Sequence, residues 1–332
     1  MQKTIHTAQS RVGSFVNRTP IFSSQFLNQQ LGQEIFFKME NMQKVGAFKA
    51  RGALNAILQL QAIKPNLKEV VCNSLGNHAQ GLAWAARELN IKATVFMEES
   101  SSVLKQQATR SYGANLIITK NKKESEQLLA EKIEAGAALV HGFDNQHIIE
   151  GQATACYEAL EDLGFDPDAI FVPCGGGGLA AGSYMACKEM QSKAKLFFAE
   201  PLRANDACCS YRSGKIFSLD ASPNTIADGV RTFSVSDLTF KYLKEFDGFF
   251  EVFEEEIIYW TQWLTHLLKS NIEPSSALAM AAAFKWLEKT HLKQQKILVI
   301  ISGGNISAQT QRSIWQEDFL SKVPSLNMPQ AV

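Results

Sequence analysis

The stretch Glu34-Ile-Phe-Phe-Lys-Met-Glu-Asn-Met-Gln-Lys-Val-Gly-Ala-Phe-Lys49-Ala-Arg-Gly-Ala-Leu-Asn-Ala-Ile57 turns from a strand pattern into a helix pattern across one short break. Ile35, Phe36 and Phe37 form a β-like run, and Val45 and Gly46 interrupt it. Ala50, Ala53, Leu54, Ile57 and Leu58 then recur at helical spacing. Lys49 is thereby predicted to open a helix, where the positive end of the helix dipole disfavours an ammonium and favours a neutral amine. A neutral lysine amine is the nucleophile of Schiff-base chemistry. The plainer alternative is a lysine whose stem merely runs from a helix end to water.

Outward from this segment, runs rich in Val, Ile and Phe alternate with helical stretches. The runs are Val70 to Ser74, Ala93 to Met97, Asn115 to Thr119, Ala138 to Phe143, Ala169 to Pro173, Ala194 to Glu200 and Ile297 to Ser302. Such alternation predicts an α/β chain with mainly parallel, doubly wound sheets and helices on both faces. Residues 69–143 hold four strand candidates with helices of their own, so a smaller domain is expected there. It would lie between the two parts, 1–68 and 144–320, of a larger one. Phe249 to Ser270 and Pro274 to His291 read as consecutive helices, and the tail 321–332 as frayed.

Composition narrows the class of partner. Lys plus Arg balances Asp plus Glu at 33 each, and 45% of residues are hydrophobic, so nothing favours nucleic acid or an anionic membrane and a small molecule is expected. The opening Met-Gln-Lys-Thr-Ile-His lacks an apolar secretory core, and no run suits a membrane span. Cys72, Cys156, Cys174, Cys187, Cys208 and Cys209 are scattered without a Cys-x-x-Cys pair. That pattern argues against zinc and disulfides and for a reducing cytoplasm.

Three strand-to-helix turns could face one ligand, because ligands of open α/β sheets gather beyond the strands' carboxyl ends. Cys72-Asn-Ser-Leu-Gly-Asn-His-Ala-Gln-Gly81 offers small polar residues and free N–H groups to a carboxylate or phosphate. Val172-Pro-Cys-Gly-Gly-Gly-Gly-Leu-Ala-Ala-Gly182 lets backbone wrap an anion at a helix start, and no Lys-Ser/Thr follows to make it a Walker loop. It also approximates a dinucleotide fingerprint, with Glu200 near the expected place of a ribose-binding acid. A nicotinamide-dependent oxidoreductase is therefore an alternative. Ile301-Ser-Gly-Gly-Asn305 would project the Ser302 hydroxyl from a strand end beside glycines.

In this order, Lys-Val-Gly-Ala-Phe-Lys49-Ala-Arg-Gly-Ala, Ser-Leu-Gly-Asn-His-Ala-Gln, Gly-Gly-Gly-Gly-Leu and Ser-Gly-Gly-Asn resemble the serine/threonine dehydratase and serine racemase family of pyridoxal-phosphate enzymes, fold type II. The likeness runs from Phe37 to Asn305. It implies that Lys49 holds pyridoxal 5'-phosphate as a Schiff base and then removes the substrate Cα–H. It further implies that Gly175, Gly176, Gly177, Gly178 and the Leu179 N–H bind the phosphate, that Phe48 stacks on the ring, and that Asn77 bonds the phenolic oxygen. Ser302 would meet the pyridine nitrogen, and Ser74, Asn77 and neighbouring N–H groups the substrate carboxylate. His78 would position that turn, and Thr232 would place a hydroxyl near the substrate. Glu200, the Ala204 carbonyl and Asp206 match the family's site for a hard cation, Mg²⁺ or Ca²⁺. The larger domain would bind the cofactor, 69–143 would lie on the substrate side, and a homodimer is expected.

The resemblance implies α,β-elimination on a small hydroxy amino acid such as L-threonine or L-serine, giving a 2-oxo acid and ammonia. A hydroxyl at Ser302 would make the ring a weaker electron sink than a carboxylate would, which suits elimination. Leu75 stands where racemases of the family carry a serine, and leucine has no proton to exchange. Racemase and β-replacement chemistry are the near alternatives, and a carrier without catalysis the distant one. Ala47, Met97-Glu98 and Gly142 also depart from the family's usual residues. Too few residues follow Asn305 for the regulatory domain of the biosynthetic threonine dehydratases.

Overall fold

The computed structural model describes residues 3–326. Residues 327–332 of the expected tail lie outside them. Ten strands are present among the described residues: β1 (Ile21–Ser23), β2 (Glu34–Met39), β3 (Glu69–Asn73), β4 (Lys92–Glu98), β5 (Asn115–Thr119), β6 (Ala138–Leu139), β7 (Ala169–Pro173), β8 (Lys195–Pro201), β9 (Gly248–Val252) and β10 (Lys296–Ile301). They form a six-stranded sheet in the order β1-β2-β10-β7-β8-β9 and a four-stranded sheet in the order β5-β4-β3-β6. Every pairing is parallel except that of β1 with β2. The expected α/β, doubly wound architecture is therefore what the chain adopts.

Both sheets place a reversal of strand order where chemistry can sit. In the larger sheet β7, β8 and β9 follow one another in one direction, and β10 returns to the other side of β7. In the smaller, β3, β4 and β5 run one way and β6 returns beside β3. The crevice beyond the carboxyl ends at such a reversal is the usual ligand position. Four turns open there, after β3, β6, β7 and β10.

Buried side chains explain why these runs are strands. Ile297 to Ile301 and Ala169 to Val172 are fully enclosed, as central parallel strands with helices on both faces must be. The helices Lys49–Ile63 and Gln146–Leu163 pack backbone to backbone: a Cβ on Gly151 would lie 2.6 Å from Gly52 Cα and 2.7 Å from the Arg51 carbonyl oxygen. Only small residues permit that approach, and it seats the turn of helix that carries Lys49.

Three expectations change. Phe249 to Ser270 is not one helix, because Gly248–Val252 forms edge strand β9 against β8 and the helix begins at Glu254. Aromatic Phe249 and Phe250 pack across the sheet on Phe198 and Phe197, which suits a pleated surface. The last run in 69–143 pairs only over Ala138–Leu139 and then becomes the loop through Gly142 and Phe143. The tail is anchored as far as described: the Lys322 carbonyl accepts from Tyr259 Oη and Trp263 Nε1, and Leu326 packs on the large core. Among the described residues no helix is long and apolar enough to cross a membrane.

Candidate active site

Lys49 is the first residue of the helix Lys49–Ile63. The preceding residues are held to the turn after β10, since Phe48 N–H donates to the Ser302 carbonyl at 3.0 Å and Ala47 bridges Gly303. Lys49 Nζ donates to the Gly142 carbonyl, in the turn after β6, at 2.7 Å. The side chain keeps some solvent exposure, yet protein surrounds its amine. Burial lowers the pKa to about 8, against the opposing charge of Glu273. Phe48 is half-buried beside it, with the amine 5.1 Å from the ring centroid.

The turn after β3 folds back on itself. Ser74 Oγ accepts from the N–H groups of Gly76 and Ala79 at 3.4 and 3.3 Å and so ties down the start of the helix Asn77–Glu88. His78 is buried, and Nε2 donates to the Val140 carbonyl at 2.8 Å, which leaves Nδ1 without a partner. Burial, reinforced by the charge of Lys49, lowers its pKa to about 3. A neutral imidazole packed 3.6 Å from where a Gly142 Cβ would stand orients the turn after β6.

Asn77 is clamped from both ends. Its Nδ2 donates to both oxygens of Glu273 at 3.1 and 3.0 Å, and its Oδ1 accepts from Asn305 Nδ2 at 2.9 Å. Ser302, nearly buried, shares a hydrogen bond at 3.0 Å with the Ser276 hydroxyl, which also accepts from Gly303 N–H. Sequence reading missed Glu273, Ser276 and Gly142 as neighbours of the site. The available signal was Glu273-Pro274, an acid directly ahead of a proline that starts a helix.

The glycine loop leaves β7 at Pro173, and the helix Gly178–Met190 follows. Gly177 has φ +85°, and a Cβ on Gly176 would lie 2.2 Å from the Phe143 ring. No side chain caps the helix start, so its first N–H groups remain available to an anion. These residues fit the phosphate of pyridoxal phosphate, and Lys49 with the Ser302 hydroxyl fits its two reactive ends. The glycines also serve packing, because Phe143 and Val230 press on them directly.

A second cluster lies behind the loop. Glu200, in β8, and Asp206, which starts the helix Asp206–Ser213, are fully buried. The 3₁₀ turn Leu202–Ala204 connects them. Glu200 Oε2 accepts from Cys208 N–H at 2.8 Å, while Glu200 Oε1 and Asp206 Oδ2 have no partner. Burial raises both, Asp206 to about 7, and the Asp206 charge pushes Glu200 further up. Two buried acids whose charges interact and which each keep an unpartnered oxygen suit a hard cation, although no group of three or more His, Cys, Asp or Glu side chains gathers anywhere among the described residues. The Thr232 hydroxyl sits here, 3.4 Å from Asp206 Oδ1, so the structure joins it to the acid cluster. Enclosure of Glu200 also removes the nicotinamide reading, since a ribose could not reach that acid.

Comparison with known proteins agrees with this geometry. The family model described as "Pyridoxal-phosphate dependent enzyme" matches residues 12–303. An L-threo-3-hydroxyaspartate ammonia-lyase of Saccharomyces cerevisiae is 40% identical over 302 residues, covering 90% of this chain and 91% of the relative. A serine racemase of Dictyostelium discoideum is 39% identical over 308 residues, covering 92% and 94%. The crystal structure of a "T.th." threonine deaminase superposes with a TM-score of 0.86 at 37% identity, covering 92% of this chain and 98% of that one. With a matching family model along most of its length and relatives of this similarity, the chain belongs to the family of pyridoxal-phosphate-dependent enzymes of fold type II.

Proposed function

We propose that this enzyme is an ammonia-lyase that removes the β-hydroxyl and the amino group from a small hydroxy amino acid, releasing a 2-oxo acid and ammonia. L-Serine and L-threonine are the first candidates, and 3-hydroxyaspartate joins them through the similarity to the yeast lyase. The observation that carries the reading is the pairing of Lys49 with a turn bearing Leu75, which is 45% exposed and has no exchangeable side-chain proton. Lys49 is then the side chain assigned to move the Cα proton, and elimination needs no second one.

Within this reading, residues Gly175 to Leu179 hold the phosphate, Phe48 flanks the ring, Asn77 faces its phenolic oxygen and Ser302 its nitrogen. When bound, pyridoxal phosphate supplies the electron sink that makes the Cα–H bond acidic. Lys49, with a pKa near 8, releases and regains a proton near neutral pH. The Gly142 carbonyl orients its amine. Ser302, neutral and tied to Ser276, leaves the ring nitrogen without a carboxylate and favours rapid loss of the hydroxyl. The Ser74–Ala79 turn offers the helix N-terminus to the substrate carboxylate. We also read 69–143 as the substrate-side domain between 1–68 and 144–320, in keeping with the two sheets. A cytoplasmic homodimer is proposed, the six free cysteines being in keeping with a reducing compartment.

A panel of L-serine, L-threonine and 3-hydroxyaspartate, with ammonia and keto-acid detection, tests the proposal. Absence of both products with every substrate refutes it. Leu75→Ser is expected to add racemisation of L-serine that the parent lacks, read by chiral chromatography. Rapid D-serine formation by the parent would overturn the stereochemical argument.

Glu200, the Ala204 carbonyl and Asp206 are proposed to take Mg²⁺ or Ca²⁺. Both acids have raised pKa values, so without metal the fold holds protons the unfolded chain has lost, and stability falls as pH rises above the ordinary carboxylate range, in the case of Asp206 up to about 7. A cation binds the ionised pair and reverses that loss. Melting temperature is therefore expected to rise more on adding metal at about pH 8 than at about pH 6. An equal or absent shift at both would remove the metal assignment.

A further inference from the structure

Glu273 directly precedes the helix Pro274–Thr290, where its side chain makes no capping bond, and its carboxyl group is almost completely buried. An ionised carboxylate only accepts hydrogen bonds, and an amide NH₂ only donates them. Glu273 therefore takes the nitrogen end of Asn77, while Asn305 Nδ2 takes the oxygen end and also donates to the Val45 carbonyl at 2.8 Å. Reversing the Asn77 amide would set oxygen against carboxylate and NH₂ against NH₂. The charged groups that face Glu273 are Lys49, Lys105 and Asp228, the last two joined in an ion pair. Backbone closes the rest: a Cβ on Gly303 would lie 2.8 Å from Glu273 Oε1, and one on Gly229 would lie 3.4 Å away.

Resting on the assignment of pyridoxal phosphate to Lys49, we propose that Glu273 is a positioning residue for this reaction. Its ionised carboxylate fixes which end of the Asn77 amide faces the cofactor, and its protonation frees that amide to turn. A protonated carboxyl can donate as well as accept, so the reversed amide then finds a partner. Burial raises the pKa of Glu273 to about 7, against the Lys105 charge and the Asn77 hydrogen bond, so the lock sets and releases near neutrality.

The test is the affinity of the apo-protein for pyridoxal phosphate, titrated by absorbance from about pH 6 to about pH 8, with melting curves for each variant. Glu273→Gln, like the protonated acid, can both accept and donate, so it stands for the released state at every pH. The parent is expected to match the glutamine variant below pH 7 and to bind about tenfold more tightly above it, the worth of one oriented hydrogen bond. Their ratio cancels the cofactor's own ionisation. Glu273→Ala, which holds neither end of the Asn77 amide, should bind no more tightly than glutamine at any pH. A parent-to-glutamine ratio constant with pH, or a glutamine variant that matches the parent above pH 7, overturns the inference. If the alanine variant does not fold, that ratio alone decides. A parent that never binds pyridoxal phosphate would instead refute the proposed function, so the two failures are distinguishable.

Discussion

Lys49→Ala is expected to fold like the parent, retain no visible cofactor absorption after desalting, and lose at least about 10³-fold in turnover. The fold should survive because Lys49 keeps some solvent exposure and makes one side-chain hydrogen bond, to the Gly142 carbonyl. Chemistry should not survive, because the alanine variant lacks the amine assigned to the cofactor aldehyde, and Lys105 nearby is held in an ion pair with Asp228. Lys49→Arg separates charge from nucleophilicity: it keeps a cation beside Glu273 but cannot deprotonate near neutral pH. Both variants should be equally inactive by ammonia release, with melting temperatures close to the parent. An alanine variant that stays coloured and active would refute the assignment of Lys49.

Arg51→Met is expected to lower the unfolding free energy by about 3 to 5 kcal/mol. Arg51 is completely enclosed and grips two acids with its planar fork. Nε and Nη2 reach Glu40 at 2.7 and 2.8 Å, and Nη1 and Nη2 reach Glu158 at 2.8 and 2.7 Å. Lys38 adds a second buried cation, 3.1 Å from Glu158. Removing the guanidinium leaves Glu40 without its cation and Glu158 with Lys38 alone. Burial pushes Glu158 up, yet Arg51 and Lys38 outweigh it and hold the pKa at about 2. That depressed acid contributes stability which is present above its ordinary range and lost as pH falls toward 2. The gap between parent and variant should therefore narrow in acid, as urea titrations at several pH values would show. A gap independent of pH would mean that packing, not charge, dominates.

Local pattern revealed Lys49 at a helix start, the glycine run after a strand and the Ser302 turn after another, because each depends on residues adjacent in the chain. The parallel sheets followed from alternation alone. Contacts across long sequence separations were not legible: Asn77 and Glu273 stand 196 residues apart, and Arg51 and Glu158 stand 107 apart. No periodicity reports such pairs. The strand Gly248–Val252 was hidden by a helix two residues beyond it, and pairing with β8 decided its state. Thr232 was expected to place a hydroxyl near the substrate, and that hydroxyl lies 3.4 Å from Asp206 Oδ1. Gly142 looked like a mere loss of proline until its carbonyl met the Lys49 amine.

Phe143 links the two halves of the molecule in a way that constrains their descent. It follows β6 of the smaller sheet, and its ring fills the space where any side chain at Gly176, beyond β7 of the larger, would have to stand. A mutation at either position is thus judged by a partner encoded in a separate part of the gene. Neither half can drift alone, and recombination between distant homologues should succeed only where the aromatic and the glycine are inherited together.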